Sequence, residues 1–97
     1  MATATGTAVI NFGALPGTSK AQVTVTGQTT ISATSKVECF VMGDDSTSDH
    51  NASDHRWLPQ FASFVCGTPV EGSGFTIYAR AKESLTGQFA LRWVWAD

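Results

Sequence analysis

The sequence predicts an all-β domain, built as a small antiparallel β-sandwich or barrel of about six to eight strands. Two patterns predict this fold class: apolar and polar side chains alternate along several segments, and no stretch of about 11 residues has a helical period. Composition adds a third observation, because Ser and Thr supply 22 residues and Gly another nine, a mixture typical of strands and turns. A length of 97 residues predicts a single β-sandwich domain over residues 1–97.

The first half of the chain contains four predicted strands. Residues 7–12 form a β-prone run that ends at the turn Leu15-Pro16-Gly17, and residues 20–26 alternate strictly between apolar and polar side chains. Residues 36–42 are largely apolar on both faces, which predicts a strand covered on both sides. Residues 28–35 are polar and β-branched around one isoleucine, and we interpret them as a further short strand.

The second half begins with residues 43–55, a polar run that predicts the longest loop. Residues 56–66 then regain an extended character, with a proline that places their first part at an edge or a bulge. Residues 75–81 and 88–96 alternate again. Because a short polar loop joins these last two runs, we expect them to pair as an antiparallel hairpin.

Loop 43–55 is also the densest cluster of reactive side chains. Histidine with carboxylate suits zinc or another transition ion. The candidate metal ligands are His50, His55, Asp49 and Asp54. Their spacing is unlike a zinc motif, because histidines five residues apart do not share one face of a helix or strand.

Two other interpretations of this loop stay open. The first is a solvated loop in which a histidine packs over an aspartate or caps a short turn, with one helical turn capped by Ser48 or Asp49. The second is a loop near a symmetry axis, where each subunit contributes one histidine or aspartate to a shared ion.

Charge and motif content argue against several function classes. A net charge of -2 with 14% charged residues leaves no basic surface, so neither nucleic acid nor a membrane is expected as a partner. The first six residues lack a signal-peptide pattern, and no run of about 18 apolar residues occurs, which predicts neither export by that route nor a membrane span. Without an export signal, Cys39 and Cys66 are expected to be a reduced, buried pair. No nucleophile elbow, P-loop or dinucleotide motif is present, so we expect no enzymatic activity and no cofactor.

The last predicted strand carries large apolar side chains on one face. Those side chains are expected to fill the core: Phe89, Leu91, Trp93 and Trp95. Its opposite face is apolar too, with a single charge, and a strand that is apolar on both faces predicts cover from another subunit. Exposed tryptophans would also mark a contact surface. The candidate interface residues are Trp57, Arg92, Val94 and Trp95.

Several segments carry a resemblance to a known family: residues 9–17 (VINFGALPG), 23–28 (VTVTGQ), loop 43–55, 74–78 (GFTIY) and 93–95 (WVW). They resemble small, uncharacterised virion-associated β-proteins encoded in the genomes of tailed bacteriophages. The resemblance covers nearly the whole chain, and its motifs are turns and strands without a catalytic signature. It implies a component of the virion.

Low charge and a small core together favour assembly, because a neutral surface packs against a neighbour without the desolvation cost of Lys or Glu. We therefore expect a non-enzymatic virion protein, a capsid decoration or cement subunit that self-associates, for example as a trimer, and binds the particle exterior. Its partners would be other virion proteins, the major capsid protein or a tail protein, and it would be assembled in the host cytoplasm. The alternative is a tail-fibre or tail-tip accessory module that binds a host receptor or glycan.

Overall fold

The computed structural model describes residues 2–97, which form six strands, one α-helix and one 3-10 helix. The elements are β1 (Thr3–Asn11), β2 (Thr18–Val25), β3 (Lys36–Phe40), α1 (Ala52–Trp57), the 3-10 helix (Leu58–Gln60), β4 (Ala62–Cys66), β5 (Phe75–Leu85) and β6 (Gln88–Ala96). The strands make two antiparallel sheets in the orders β1-β6-β3 and β2-β5-β4. The all-β antiparallel prediction is confirmed.

The two sheets pack face to face as an open sandwich. β1 lies beside β2 at one side of the sandwich, and β3 lies beside β4 at the other. Each sheet has its longest run of buried side chains on its central strand, β6 in one and β5 in the other. The core therefore lies between these two central strands. No helix within residues 2–97 is long and apolar enough to cross a membrane.

Strand β6 buries the side chains predicted to fill the core. Phe89, Leu91, Trp93 and Trp95 are all buried, and the Trp93 ring meets Phe75 of the opposite sheet edge-to-face at 5.4 Å between ring centroids. Burying each such side chain contributes about 1.5–3 kcal/mol relative to leaving it in water. The Trp93 indole also covers Gly6 on β1, where a Cβ would overlap the ring. Only glycine fits at that position in β1.

The predicted hairpin between residues 75–81 and 88–96 is wrong, because β5 and β6 belong to different sheets. The chain crosses from one sheet to the other after Leu85, through a turn in which Gly87 has a φ of 81°. Both strands carry an apolar stripe, and the two stripes face each other across the core instead of lying side by side. A short connection permits pairing but does not require it.

The strand predicted over residues 28–35 is absent from the described chain, which forms turns there. The backbone N–H of Ser35 donates to the Ser32 carbonyl at 3.1 Å, and the Ser35 hydroxyl accepts from the backbone N–H of Ser32 at 3.0 Å. Such local bonds satisfy backbone groups in place of a ladder. Ile31 is nevertheless buried, so the segment adds to the core from a turn.

Candidate functional site

The polar loop leads into α1, which begins at Asn51. The Asn51 side chain accepts from the backbone N–H of Asp54 at 2.9 Å, and the Asp54 carboxylate accepts from the backbone N–H of Asn51 at 3.3 Å, a capping box. The expected cap at Ser48 or Asp49 is therefore wrong. This box starts a helix that runs through Trp57, so the first part of the predicted extended segment 56–66 is helical.

His55 is the fully buried centre of the loop. Its Nδ1–H donates to the Asn51 carbonyl at 2.9 Å, and its Nε2 accepts from the backbone N–H of Ala90 at 2.9 Å. Since a backbone N–H can only donate, the proton of the ring lies on Nδ1. Both nitrogens are engaged, which leaves no lone pair for a metal ion.

His50 lies flat on Phe89, with ring centroids 3.9 Å apart and an angle of 11° between the planes. Its Nε2 is 2.7 Å from the Thr86 carbonyl oxygen, and its Nδ1 is 3.0 Å from Oδ2 of Asp54. Both neighbours are acceptors, so a ring nitrogen that carries a proton donates to its neighbour. The hydrogen bond from His50, and then that from the backbone N–H of Asn51, lower the pKa of Asp54.

Loop side chains also bond the edge of β6 that β3 leaves open. β3 pairs with β6 only as far as Arg92, whereas β1 covers the other edge along the whole strand. Beyond Arg92, the Thr47 hydroxyl donates to the Gln88 carbonyl at 2.6 Å, and the backbone N–H of Gln88 donates to Asp49 at 2.9 Å. Together with the bond between His55 and Ala90, these contacts continue the ladder with side chains. The loop therefore takes the place of a strand.

This geometry contradicts a metal site within one subunit. Among residues 2–97, no group of three or more His, Cys, Asp and Glu side chains is arranged to hold an ion. The four predicted ligands are divided between two tasks: Asp49 and His55 bond β6, whereas His50 and Asp54 bond each other. His55 cannot contribute to an ion shared between subunits, because its ring is fully buried.

A cleft of about 420 Å³ lies between the loop and the turn that follows β1. Asp49, His50 and Gly87 line one side of it, and Leu15, which is 86% exposed, lines the other. The polar atoms that the loop presents here already bond Thr86 and the start of β6. The cleft thus holds side chains with structural partners, and it is not an arrangement of nucleophile and base.

Two of the predicted interface residues lie on the outer side of the β1-β6-β3 sheet. We call the centre of this surface the neutral face; it consists of Thr5, Thr7, Val9, Phe40, Met42, Arg92 and Val94, and the oppositely charged side chains of Lys36 and Glu38 on β3 lie beside it. Arg92 is paired with Asp45 through two bonds of 2.8 and 3.0 Å, which lower the pKa of Asp45 and raise that of Arg92. A groove of about 330 Å³ runs over Arg92 and Val94, between the threonines of β1 and the side chains of Phe40 and Met42.

Trp95 must be removed from the predicted interface. Its side chain is 1% exposed, and its indole N–H donates to the Gln28 side chain at 3.0 Å. Trp57, by contrast, is 56% exposed and lies near Phe61, which is 40% exposed. These two aromatic rings line a shallow cleft of about 170 Å³.

Sequence reasoning missed Phe40 and Met42, which are 42% and 43% exposed. Residues 36–42 were predicted to be covered on both sides, but β3 is an edge strand whose outer side chains meet no other layer of this chain. The apolar character of both faces is the sequence signal for these residues. It indicates an exposed apolar surface on β3 as well as a covered strand.

Comparison with protein-family models, with curated proteins and with solved structures found no match. The resemblance to a bacteriophage family therefore depends on the sequence segments alone.

Proposed function

We propose that this protein is a non-enzymatic structural subunit that self-associates through its neutral face. One observation carries the proposal: the only charge of β6 on that face, Arg92, is already neutralised by Asp45, and large apolar side chains stand beside it. A surface without net charge can be removed from water at little desolvation cost, and the two charged side chains beside this face, Lys36 and Glu38, have opposite signs. Exposed Phe40 and Met42 would gain about 25 cal/mol for each Å² that a partner covers.

The size of the molecule is sufficient for such a contact. Its extents of 40 × 23 × 20 Å give one broad side from which a specific interface of about 800 Å² per partner can be drawn. The groove over Arg92 and Val94 can accept side chains from a second copy. Two-fold contacts of this kind, or a ring of copies, would bury the apolar side chains of the face.

The bacteriophage resemblance supports placing this subunit in a virion. In that setting it would be a capsid decoration or cement protein that binds the particle exterior, with the major capsid protein or a tail protein as its partner. Repeated copies on a particle would add avidity to a modest individual contact. In loop 43–55, His50, Asp49 and His55 bond backbone groups, which is consistent with a structural role.

Self-association is tested by sedimentation velocity on the wild type and on Val94→Lys. We expect the wild type to form an oligomer, and the lysine to shift it to the monomer because a charge would be buried in the contact. The matched control is Val65→Lys, since Val65 is 63% exposed on the outer side of the other sheet. Thermal unfolding of both variants checks the fold. A monomeric wild type, or equal masses for wild type and Val94→Lys, would contradict the proposal.

The exposed Trp57 favours the alternative, a tail-fibre or tail-tip module that binds a host receptor or glycan. A sugar ring can stack on an exposed indole, and Trp57 is the one tryptophan of residues 2–97 that is not buried. Quenching of its fluorescence by host polysaccharide, lost in Trp57→Phe, would support this function. Unchanged fluorescence at saturating polysaccharide would reject it.

A further inference from the structure

Three of the six basic residues lie together on the outer side of the β2-β5-β4 sheet. Lys20 on β2 and Arg80 on β5 are direct cross-strand partners, and Ser63 on β4 flanks Arg80 on its other side. Lys82 follows on β5, and all three basic side chains are exposed. Like charges directly opposite each other destabilise a sheet. Repulsion between Lys20 and Arg80 therefore destabilises this sheet, and an anionic partner would reduce that repulsion.

Within the described residues 2–97, no carboxylate forms an ion pair with these three cations. Among residues 2–97, the ion pairs use His50, Arg56 and Arg92, all outside this sheet. Glu83 is next to Lys82 in the chain but pairs with none of the three cations in the described structure. Most of the acidic residues lie elsewhere, with four aspartates in loop 43–55. Charge is thus segregated although the net charge is only -2.

A groove of about 330 Å³ adjoins this cluster. We call it the cationic groove; its lining includes Pro59, Phe61, Ser63, Arg80 and Lys82. Phe61 also lines the cleft that contains Trp57, so the groove continues into an aromatic surface. One end is positively charged and the other is apolar. Aromatic and Arg side chains are the residue types that dominate binding energy at protein interfaces.

We infer that the cationic groove binds a short segment of a partner protein in which carboxylates are followed by apolar side chains. The carboxylates would pair with Arg80, Lys82 and Lys20, and the apolar side chains would cover Phe61 and Trp57. A nucleic acid strand fits less well, because Asp54 lines the Trp57 cleft and would repel phosphates at that end. This inference rests on the proposed function in one respect: the partner protein would be another component of the virion.

The test uses a synthetic peptide of three glutamates followed by three leucines, titrated against the full chain while tryptophan fluorescence is recorded. We expect saturable binding that weakens as salt is raised, since the cations are exposed. Arg80→Glu with Lys82→Glu should weaken binding about tenfold or more, because both attractive contacts become repulsive. The control is Lys36→Glu, a charge reversal beside the neutral face of the other sheet, which should bind the peptide as the wild type does.

Failure of the wild type to bind the peptide would overturn the inference, and so would any one of three further results. In the first, a peptide with glutamines in place of the glutamates binds as tightly as the acidic peptide. In the second, Lys36→Glu weakens binding as much as Arg80→Glu with Lys82→Glu does. In the third, a thymidine oligonucleotide binds more tightly than the acidic peptide. Sedimentation of the Arg80→Glu, Lys82→Glu variant separates the two proposals. If its oligomer persists while the wild type fails to bind peptide, only the groove assignment fails. If peptide binds a wild type that is monomeric, only self-association through the neutral face fails.

Discussion

The Nε2 atom of His55 accepts the backbone N–H of Ala90 at 2.9 Å, and this bond joins α1 to the central strand of a sheet. The same ring donates through Nδ1 to the Asn51 carbonyl, so one buried side chain connects the start of the helix to β6. His55 also meets Phe89 edge-to-face at 5.4 Å between centroids. Loop 43–55, which the sequence patterns indicate as a cluster of reactive side chains, is thus hydrogen-bonded to the core strand β6 through His55.

Replacement of His55 by leucine should destabilise the fold. Leucine cannot accept a hydrogen bond, so the Ala90 N–H would be left unsatisfied, at a cost of about 1–3 kcal/mol. Urea unfolding followed by circular dichroism measures the difference. Asp44→Ala is the control on an exposed loop side chain, and it should change the free energy of unfolding by less than about 0.5 kcal/mol. Equal midpoints for His55→Leu and wild type would refute the structural role.

Trp93→Ala should lower the free energy of unfolding by about 3–5 kcal/mol, because it removes a buried ring and leaves a cavity. Trp93 is 6% exposed and packs on Phe75 and Gly6. The same substitution at Trp57, which is 56% exposed, should cost less than about 1 kcal/mol. Chemical denaturation of the two variants makes the comparison. A loss under about 1 kcal/mol in Trp93→Ala, together with impaired assembly, would place that ring at an interface instead.

Acid should remove stability that Asp45 and Asp54 supply at neutral pH. The bond with Arg92 lowers the pKa of Asp45, and the bond with His50 lowers that of Asp54. The unfolded chain therefore binds protons more readily, so this contribution is complete above the ordinary aspartate pKa of about 3.9 and disappears as pH falls through the lower folded values. Urea midpoints measured from neutral to acid pH should fall more steeply for wild type than for the Asp45→Asn, Asp54→Asn variant. If the urea midpoints of the two proteins fall equally with pH, the stabilising roles of the Asp45–Arg92 and Asp54–His50 bonds are contradicted.

The thiols of Cys39 and Cys66 should react slowly in the folded protein. Both are free and partly buried, on the neighbouring edge strands β3 and β4. Burial, and then the hydrogen bond with Cys39, raise the pKa of Cys66 to about 12, and burial also raises that of Cys39. Since the thiolate is the reactive form, iodoacetamide at pH of about 8 should label native protein far more slowly than urea-unfolded protein. Mass spectrometry follows the labelling, and equal rates in the two states would contradict the prediction.

The sequence by itself determined the fold class and the core face of β6. Alternation with a period of two is a local property, so it can be read from Phe89, Leu91, Trp93 and Trp95 without knowledge of any neighbour. The same pattern located β1, β2, β3 and β5 to within a few residues, but it did not show that the segment before β4 is helical. It did not separate a strand from turns at 28–35, because serine side chains there can bond nearby backbone groups.

Only the tertiary structure decided which strands pair and what the polar loop does. Pairing depends on how apolar stripes distant in sequence meet, so β5 and β6, although adjacent in the chain, came to lie in opposite sheets. The roles of Asp49 and His55 likewise depend on backbone groups of Gln88 and Ala90, more than thirty positions away. Residue types that suit a metal ion also suit an unpaired strand edge. Which of these partners they have is set by the position of β6, and no local pattern encodes that position.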